Sequence, residues 1–376
     1  MSERENKMTH AERIKKAIDL KEPDRVPMFD SMNWSVNLAG NNVNCMGKKE
    51  KDVSFPKWIH NPDIFVESQI KALDRFDHDF VHSRMSSHIL AGPLGCKEQE
   101  PYWGVPNVEP AIKEPEEWKN LSFPDSDKDG KLPTQLTAIR MMEKELHIKR
   151  GDDVFITGFV RGPFTLAGVV LGVEKMMLSL ILKPDETKEL INFCTDVSIE
   201  YIKAQFDAGA DHIYTPDPTA SGDLISPRFY REFAFPHAKK QAEAIRKYKD
   251  KYAHHYHICG NTMDRLEDIA SIGSSYVSLD YLDNMKEVKK RIGKKVCICG
   301  NVDPAGTLFL GTPKKVESEA KQCIRDAAPG GGYIYWTGCD WALGCPLENA
   351  DKFFEVGRTY GKYPIKPETE VLVHEQ

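Results

Sequence analysis

Residues 253–301 contain three short apolar runs, Ala253-His-His-Tyr-His-Ile-Cys259, Tyr276-Val-Ser-Leu-Asp-Tyr281 and Val296-Cys-Ile-Cys-Gly300, separated by stretches of amphipathic, helix-like sequence. Strand-sized runs that alternate with helices are the signature of a parallel sheet built from βα units. Working outward, the same alternation recurs at 26–30, 79–83, 154–160 and 211–217 upstream and at 333–338 downstream. Eight strands alternating with helices predict a (β/α)8 TIM barrel, and a single domain over residues 1–376 then absorbs the whole chain. Helix starts support the count: Thr9 with Glu12 forms a capping box, and Ser226-Pro227 and Thr312-Pro313 place proline behind a good N-cap. Cys345-Pro346 marks a further start.

Two segments exceed what a minimal barrel needs. Residues 33–61 and 84–132 follow the first and second predicted strands, and are rich in Gly, Pro and Asn. They carry Trp34, Trp58 and Trp103, which argues for packed loops over the mouth of the barrel.

Composition excludes several function classes. A net charge of −6 is of the wrong sign for a nucleic-acid binder. The longest uncharged apolar stretch, Gly162 to Val173, falls short of the roughly 20 residues of a bilayer span. The first residues are charged and carry no apolar signal, and nine cysteines form no dense framework. These features point to a cytoplasmic protein with free thiols, whose self-association the sequence leaves open.

The candidate chemistry lies at predicted strand ends. Alternation puts His257 and Cys259 on one face of their strand, pointing into the barrel, and Cys339 directly follows the last strand. One imidazole and two thiolates suit Zn²⁺ with a fourth position open to water or substrate. Cys299 repeats the setting of Cys259 (Ile-Cys-Gly-Asn at both 258–261 and 298–301) and is a candidate further ligand. Asp217, Asp280 and Asp303 end or follow strands; Asp280 first and Asp217 second are candidate catalytic or ligand-orienting carboxylates. Trp34 and Trp341 are candidate substrate-pocket walls.

These residues carry a resemblance. His257-Ile-Cys259-Gly260, Gly300-Asn301-Val302-Asp303-Pro304, Gly330-Gly331-Gly332-Tyr333 and Gly338-Cys339 with Pro346-Leu347-Glu348-Asn349 are similar to the uroporphyrinogen decarboxylase superfamily. Gly162-Pro163-Phe164-Thr165-Leu166-Ala167, Asp217-Pro218 and Ile225-Ser226-Pro227 match the same group, so the resemblance runs from about Arg13 to Tyr363. Within it the chain resembles the zinc-dependent corrinoid methyltransferases, which implies a barrel with zinc on His257, Cys259 and Cys339. Asn33 stands where the decarboxylases carry an arginine that grips porphyrinogen carboxylates, which argues against decarboxylation. The sequence Asp340-Trp-Ala-Leu-Gly-Cys-Pro346 also departs from the Pro-Pro and Thr-Pro usual after the last ligand in thiol-methylating relatives.

The resemblance implies methyl transfer between a small substrate and the cobalt of a separate corrinoid (cobalamin) protein, because no Asp-x-His-x-x-Gly cobalamin motif appears in the chain. The tryptophans favour a planar methoxyarene and O-demethylation, with zinc as Lewis acid on the ether oxygen. The alternative is a thiol of the coenzyme M type, bound as thiolate and methylated by methyl-Co(III). A reading from another class is a zinc-stabilised ligand-binding barrel without turnover.

Overall fold

The computed structural model describes residues 8–29, 60–99, 107–342 and 344–366. Its frame is a parallel sheet of seven strands: β1 (Phe80–His82), β4 (Phe155–Phe159), β5 (His212–Pro216), β6 (His254–Ile258), β7 (Tyr276–Leu279), β8 (Cys297–Val302) and β9 (Tyr333–Thr337). They pair in chain order, all parallel, with helices between successive strands. A separate antiparallel pair, β2 (Lys97–Gln99) and β3 (Asn107–Glu109), lies between β1 and the helix Leu132–Met142.

Seven of the eight expected strands are present within one or two residues of the expected bounds. Of the expected first strand, 26–30, the described residues 26–29 form an isolated parallel bridge between Met28 and Tyr335, not an extended ladder. The reason is local. Pro27 has no N–H to donate, and the Met28 N–H donates to the Asp79 side chain at 2.7 Å instead of to a neighbouring strand. The segment nevertheless touches both edges of the sheet. Pro27 O accepts from Tyr335 N at 2.8 Å, and Phe29 N donates to Tyr335 O at 3.0 Å. On the other side Asp79 N donates to Met28 O at 2.9 Å. The curled sheet is thus bridged between β9 and β1, giving a TIM-barrel-like arrangement.

Asp79 anchors this junction. It is fully buried and accepts from Arg13 Nη1 at 2.6 Å, Arg25 Nη1 at 2.7 Å and His10 Nδ1 at 2.8 Å. Burial alone would favour the neutral acid, but Arg25, His10 and Arg13 together hold it far below the ordinary carboxylate range. The expected capping box is present: Thr9 N donates to Glu12 Oε2 at 3.0 Å, and the Thr9 side chain caps Glu12 N. It starts the helix His10–Ile18, which presents both His10 and Arg13 to Asp79. Ser226 and Thr312 cap their helices as expected, whereas Pro346 sits just outside the last helix, which begins at Leu347.

The barrel interior is aromatic and histidine-rich. Phe29 sits edge-on to Phe80, His82, His255 and Trp336 at 4.8–5.1 Å. Each buried imidazole then needs a polar partner. His212 Nε2 finds Tyr276 OH at 2.7 Å; on the outer face of the sheet, buried His254 likewise has Thr215 Oγ1 2.7 Å from its Nε2. No single helix among the described residues is long and apolar enough to cross a membrane.

Candidate metal centre

Strand β6 ends at Ile258, and the chain turns sharply at Gly260, whose φ is +73°. A Cβ there would lie 2.0 Å from Asp223 Oδ2 and 2.6 Å from Ser221 Oγ, so only glycine fits. The turn leaves Cys259 at the C-terminal end of the sheet beside His257, with His257 Nε2 and Cys259 Sγ 3.0 Å apart. Cys339 arrives from the end of β9, its Sγ 3.3 Å from that of Cys259. Gly338 permits this approach, since a Cβ there would lie 2.1 Å from the backbone N of Tyr281. His257, Cys259 and Cys339 offer one ligand atom each, all within 4.8 Å of one another.

The donor set fits a zinc ion: two soft sulfurs and one imidazole nitrogen converge on a small volume. The second ring nitrogen is held as well, with His257 Nδ1 2.8 Å from Ser278 Oγ and 3.3 Å from the Ser278 carbonyl oxygen. The hydrogen bond from Cys259, with His257 nearby, draws the Cys339 thiol below the ordinary range; the same contact and burial push Cys259 up. A lowered Cys339 thiol is the direction metal binding requires of a ligand.

Cys299 is not part of this cluster. It is fully buried on β8, in register with Ser278 and Ile334, and burial pushes its thiol well above the ordinary range. Strand parity predicted an inward thiol but not its depth. All the described cysteines are unpaired.

Asp280 is at the site but grips backbone, not imidazole. Its Oδ2 accepts from Gly260 N at 2.9 Å and its Oδ1 from Leu282 N at 3.1 Å. It thereby fixes the turn that carries Cys259. Asp217 is elsewhere: its carboxylate accepts from Thr165 N at 2.6 Å and from Tyr256 OH at 3.3 Å, capping the first turn of the helix Pro163–Leu171. Tyr256 lies on the opposite face of β6 from His255 and His257, so this carboxylate points away from the thiols. Asp217, expected as a second candidate carboxylate for the site, is placed at this helix start and not beside the thiols. Burial raises its pKa despite those hydrogen bonds.

Trp341 is 3 % exposed, stacked on Phe354 at 5.9 Å and edge-on to Phe353 at 5.1 Å. It packs on the last helix. Trp336 is buried edge-on to His257 at 5.4 Å, and its Nε1 has no hydrogen-bond partner among the described residues. Trp34, Trp58, Trp103 and Asn33 lie outside the described residues, as does nearly all of 33–61.

Two arginines at strand ends went unread in the sequence. Arg84, two residues past β1, donates from Nη1 to Asp340 Oδ2 and from Nη2 to Ser87 Oγ, both at 2.8 Å. Burial opposes its charge, but Asp340 more than compensates and raises its pKa. Arg161, two residues past β4, donates from Nε to Ser87 O at 2.8 Å, and its other nitrogens have no protein acceptor among the described residues. Its pKa is lowered by burial and by Arg84. The signal was available: a charged residue just past a barrel strand reads as functional.

The fold and this cluster define a TIM-barrel-like protein with a nitrogen–sulfur candidate metal centre at the C-terminal ends of its strands. The chain belongs to the uroporphyrinogen decarboxylase (URO-D) family, whose model matches residues 9–360, and to the branch of it that contains corrinoid methyltransferases. It is 29% identical over 342 residues to the methylcobamide:CoM methyltransferase MtaA of Methanosarcina barkeri, covering 90% of this chain and 94% of that protein. It is 33% identical over 231 residues to the methylcobamide:CoM methyltransferase MtbA of Methanosarcina mazei, covering 61% of this chain and 65% of that protein. Among solved structures, a methyltransferase from Methanosarcina mazei superposes with a TM-score of 0.82 at 26% identity, covering 94% of this chain and 99% of that one.

Proposed function

We propose that this chain, as one domain over residues 1–376, is a zinc-dependent methyltransferase that moves a methyl group from a separate methyl-corrinoid protein to a small thiol with an anionic tail. The observation that carries the reading is the pairing of the thiol–imidazole cluster with two arginines. Arg84 is within electrostatic reach of Cys339, and Arg161 of Cys259. A methoxyarene needs no cation, whereas a sulfonate or carboxylate tail is recognised by a guanidinium. Of the tryptophans that favoured the ether reading, Trp341 packs on the last helix, Trp336 lies edge-on to His257, and Trp34, Trp58 and Trp103 lie outside the described residues. The names of MtaA and MtbA, which specify coenzyme M, support the same choice.

His257, Cys259 and Cys339 would hold the zinc ion. Bound there, zinc supplies a lowered thiol pKa, so that the substrate is presented as a thiolate at neutral pH. The protein supplies the rest. Arg161 binds the anionic tail, and Arg84 anchors Asp340 and with it the loop that bears Cys339. Asp280 fixes the Cys259 turn. The thiolate electron pair forms the new S–C bond, while the Co–C pair stays on cobalt and converts methyl-Co(III) to Co(I). Unpaired cysteines accord with a reducing, cytoplasmic setting.

The test is the purified chain with methylcobalamin and one of three partners: 2-mercaptoethanesulfonate, ethanethiol or a methoxyarene with Co(I). Loss of methyl-cobalt absorbance with the sulfonated thiol, dependent on zinc, is the expected result. Methylation of Co(I) by the methoxyarene with no thiol turnover overturns the reading in favour of O-demethylation. Zinc binding without either reaction favours the binding barrel.

A further inference from the structure

Ser278 lies between two imidazoles of the barrel interior. Its Oγ is 2.8 Å from His257 Nδ1 and 2.7 Å from His255 Nε2, and all three residues are buried. The β6–β7 register places Ser278 directly opposite His257. His255, two residues earlier on the same face of β6, reaches the same hydroxyl from below. Its ring is held between Tyr214 at 4.5 Å and Tyr276 at 4.3 Å. The far nitrogen, His255 Nδ1, has no hydrogen-bond partner among the described residues, so the chain of hydrogen bonds ends there.

Two proton arrangements satisfy a hydroxyl between two rings, and the backbone distinguishes them. The Ser278 carbonyl oxygen is 3.3 Å from His257 Nδ1 and only accepts. A lone pair on Nδ1 would face that oxygen repulsively, so Nδ1 carries the proton. The Ser278 hydroxyl then accepts from His257 and donates to His255 Nε2. This direction leaves the His257 Nε2 lone pair aimed at Cys259 and Cys339. We infer that Ser278, with His255 as terminal acceptor, is a positioning residue that locks His257 into its metal-binding tautomer before any metal arrives. The inference rests on the zinc reading for its purpose, but not for its geometry. The proton arrangement exists in the metal-free protein.

The first measurement needs no variant. In metal-free protein labelled with ¹⁵N-histidine, the His257 resonances, assigned by their loss in His257→Gln, should report a proton on Nδ1 and none on Nε2. A proton on Nε2 overturns the inference. The second is zinc affinity by chelator competition. Ser278→Ala should weaken binding by about tenfold to a hundredfold, the usual effect of removing such a partner, and Ser278→Thr should restore most of it. The longer bond to the Ser278 carbonyl survives in both variants, so the loss is partial. Ser278→Ala with wild-type affinity and an unchanged tautomer also overturns the inference. If the wild type binds no zinc while Nδ1 is protonated, the proposed function fails and the tautomer assignment stands.

Discussion

Arg84 Nη1 lies 2.8 Å from Asp340 Oδ2, and Asp340 is the residue directly after Cys339. A strand end from the start of the sheet is thereby tied to the loop that delivers the last candidate ligand from its other edge. The Arg84 side chain is 4 % exposed and that of Asp340 31 %. Removing the carboxylate strands a buried guanidinium. Asp340→Asn should cost about 1–3 kcal/mol, less than a fully buried pair because Asp340 is partly solvated. Denaturant unfolding measures this, and an unchanged midpoint contradicts it.

The ligand set makes a second prediction. Cys339→Ala removes the more acidic thiol, so bound zinc and turnover should both fall well below the wild type. Cys299→Ala should leave zinc content unchanged, because that thiol lies outside the cluster. Metal analysis after dialysis separates the two. A loss of zinc in Cys299→Ala alone reverses the assignment.

Arg161 offers a test of substrate class. Arg161→Gln should raise KM for 2-mercaptoethanesulfonate by about tenfold or more, consistent with loss of a charge-assisted hydrogen bond. KM for ethanethiol should hardly change. Equal effects on both thiols would point to a structural role for Arg161.

The junction at Asp79 sets an acid limit on stability. Its folded pKa lies far below the unfolded value of roughly 4, so its stabilising effect is complete above that value. It is lost progressively as the pH falls through and below about 4. His10 acts oppositely: partnered by Asp79, its pKa is raised even though burial lowers it. Its contribution is present below the unfolded value of about 6.5 and fades as the pH rises through the folded one. Unfolding midpoints measured from pH 7 to pH 3 should fall most steeply at the acid end. Asp79→Asn should be much less stable at pH 7 and flatter toward acid, and a parallel acid limb in that variant excludes Asp79 as its source.

Much of the fold was legible because strand and helix periodicities are local properties of the chain. Seven strands stand where alternation placed them, and the Thr9 cap follows from four residues. His257 and Cys259 were legible as a pair for the same reason, since a period of two puts them on one face. What sequence reading missed depends on contacts between distant segments. Residues 26–29 lost ladder status because Asp79, some fifty residues on, takes the Met28 N–H. Asp217 is turned away by the helix start at Thr165, and Trp341 is drawn into the last helix by Phe353 and Phe354. Arg84, Arg161 and Ser278 have no sequence motif that names them. Their roles come from what faces them, and only closure of the sheet brings Asp340 to Arg84, and Ser278 between His255 and His257. Local periodicity determined which residues could line the site; tertiary packing decided which of them meet there, because hydrogen bonds and burial depend on distances that spacing along the chain does not set.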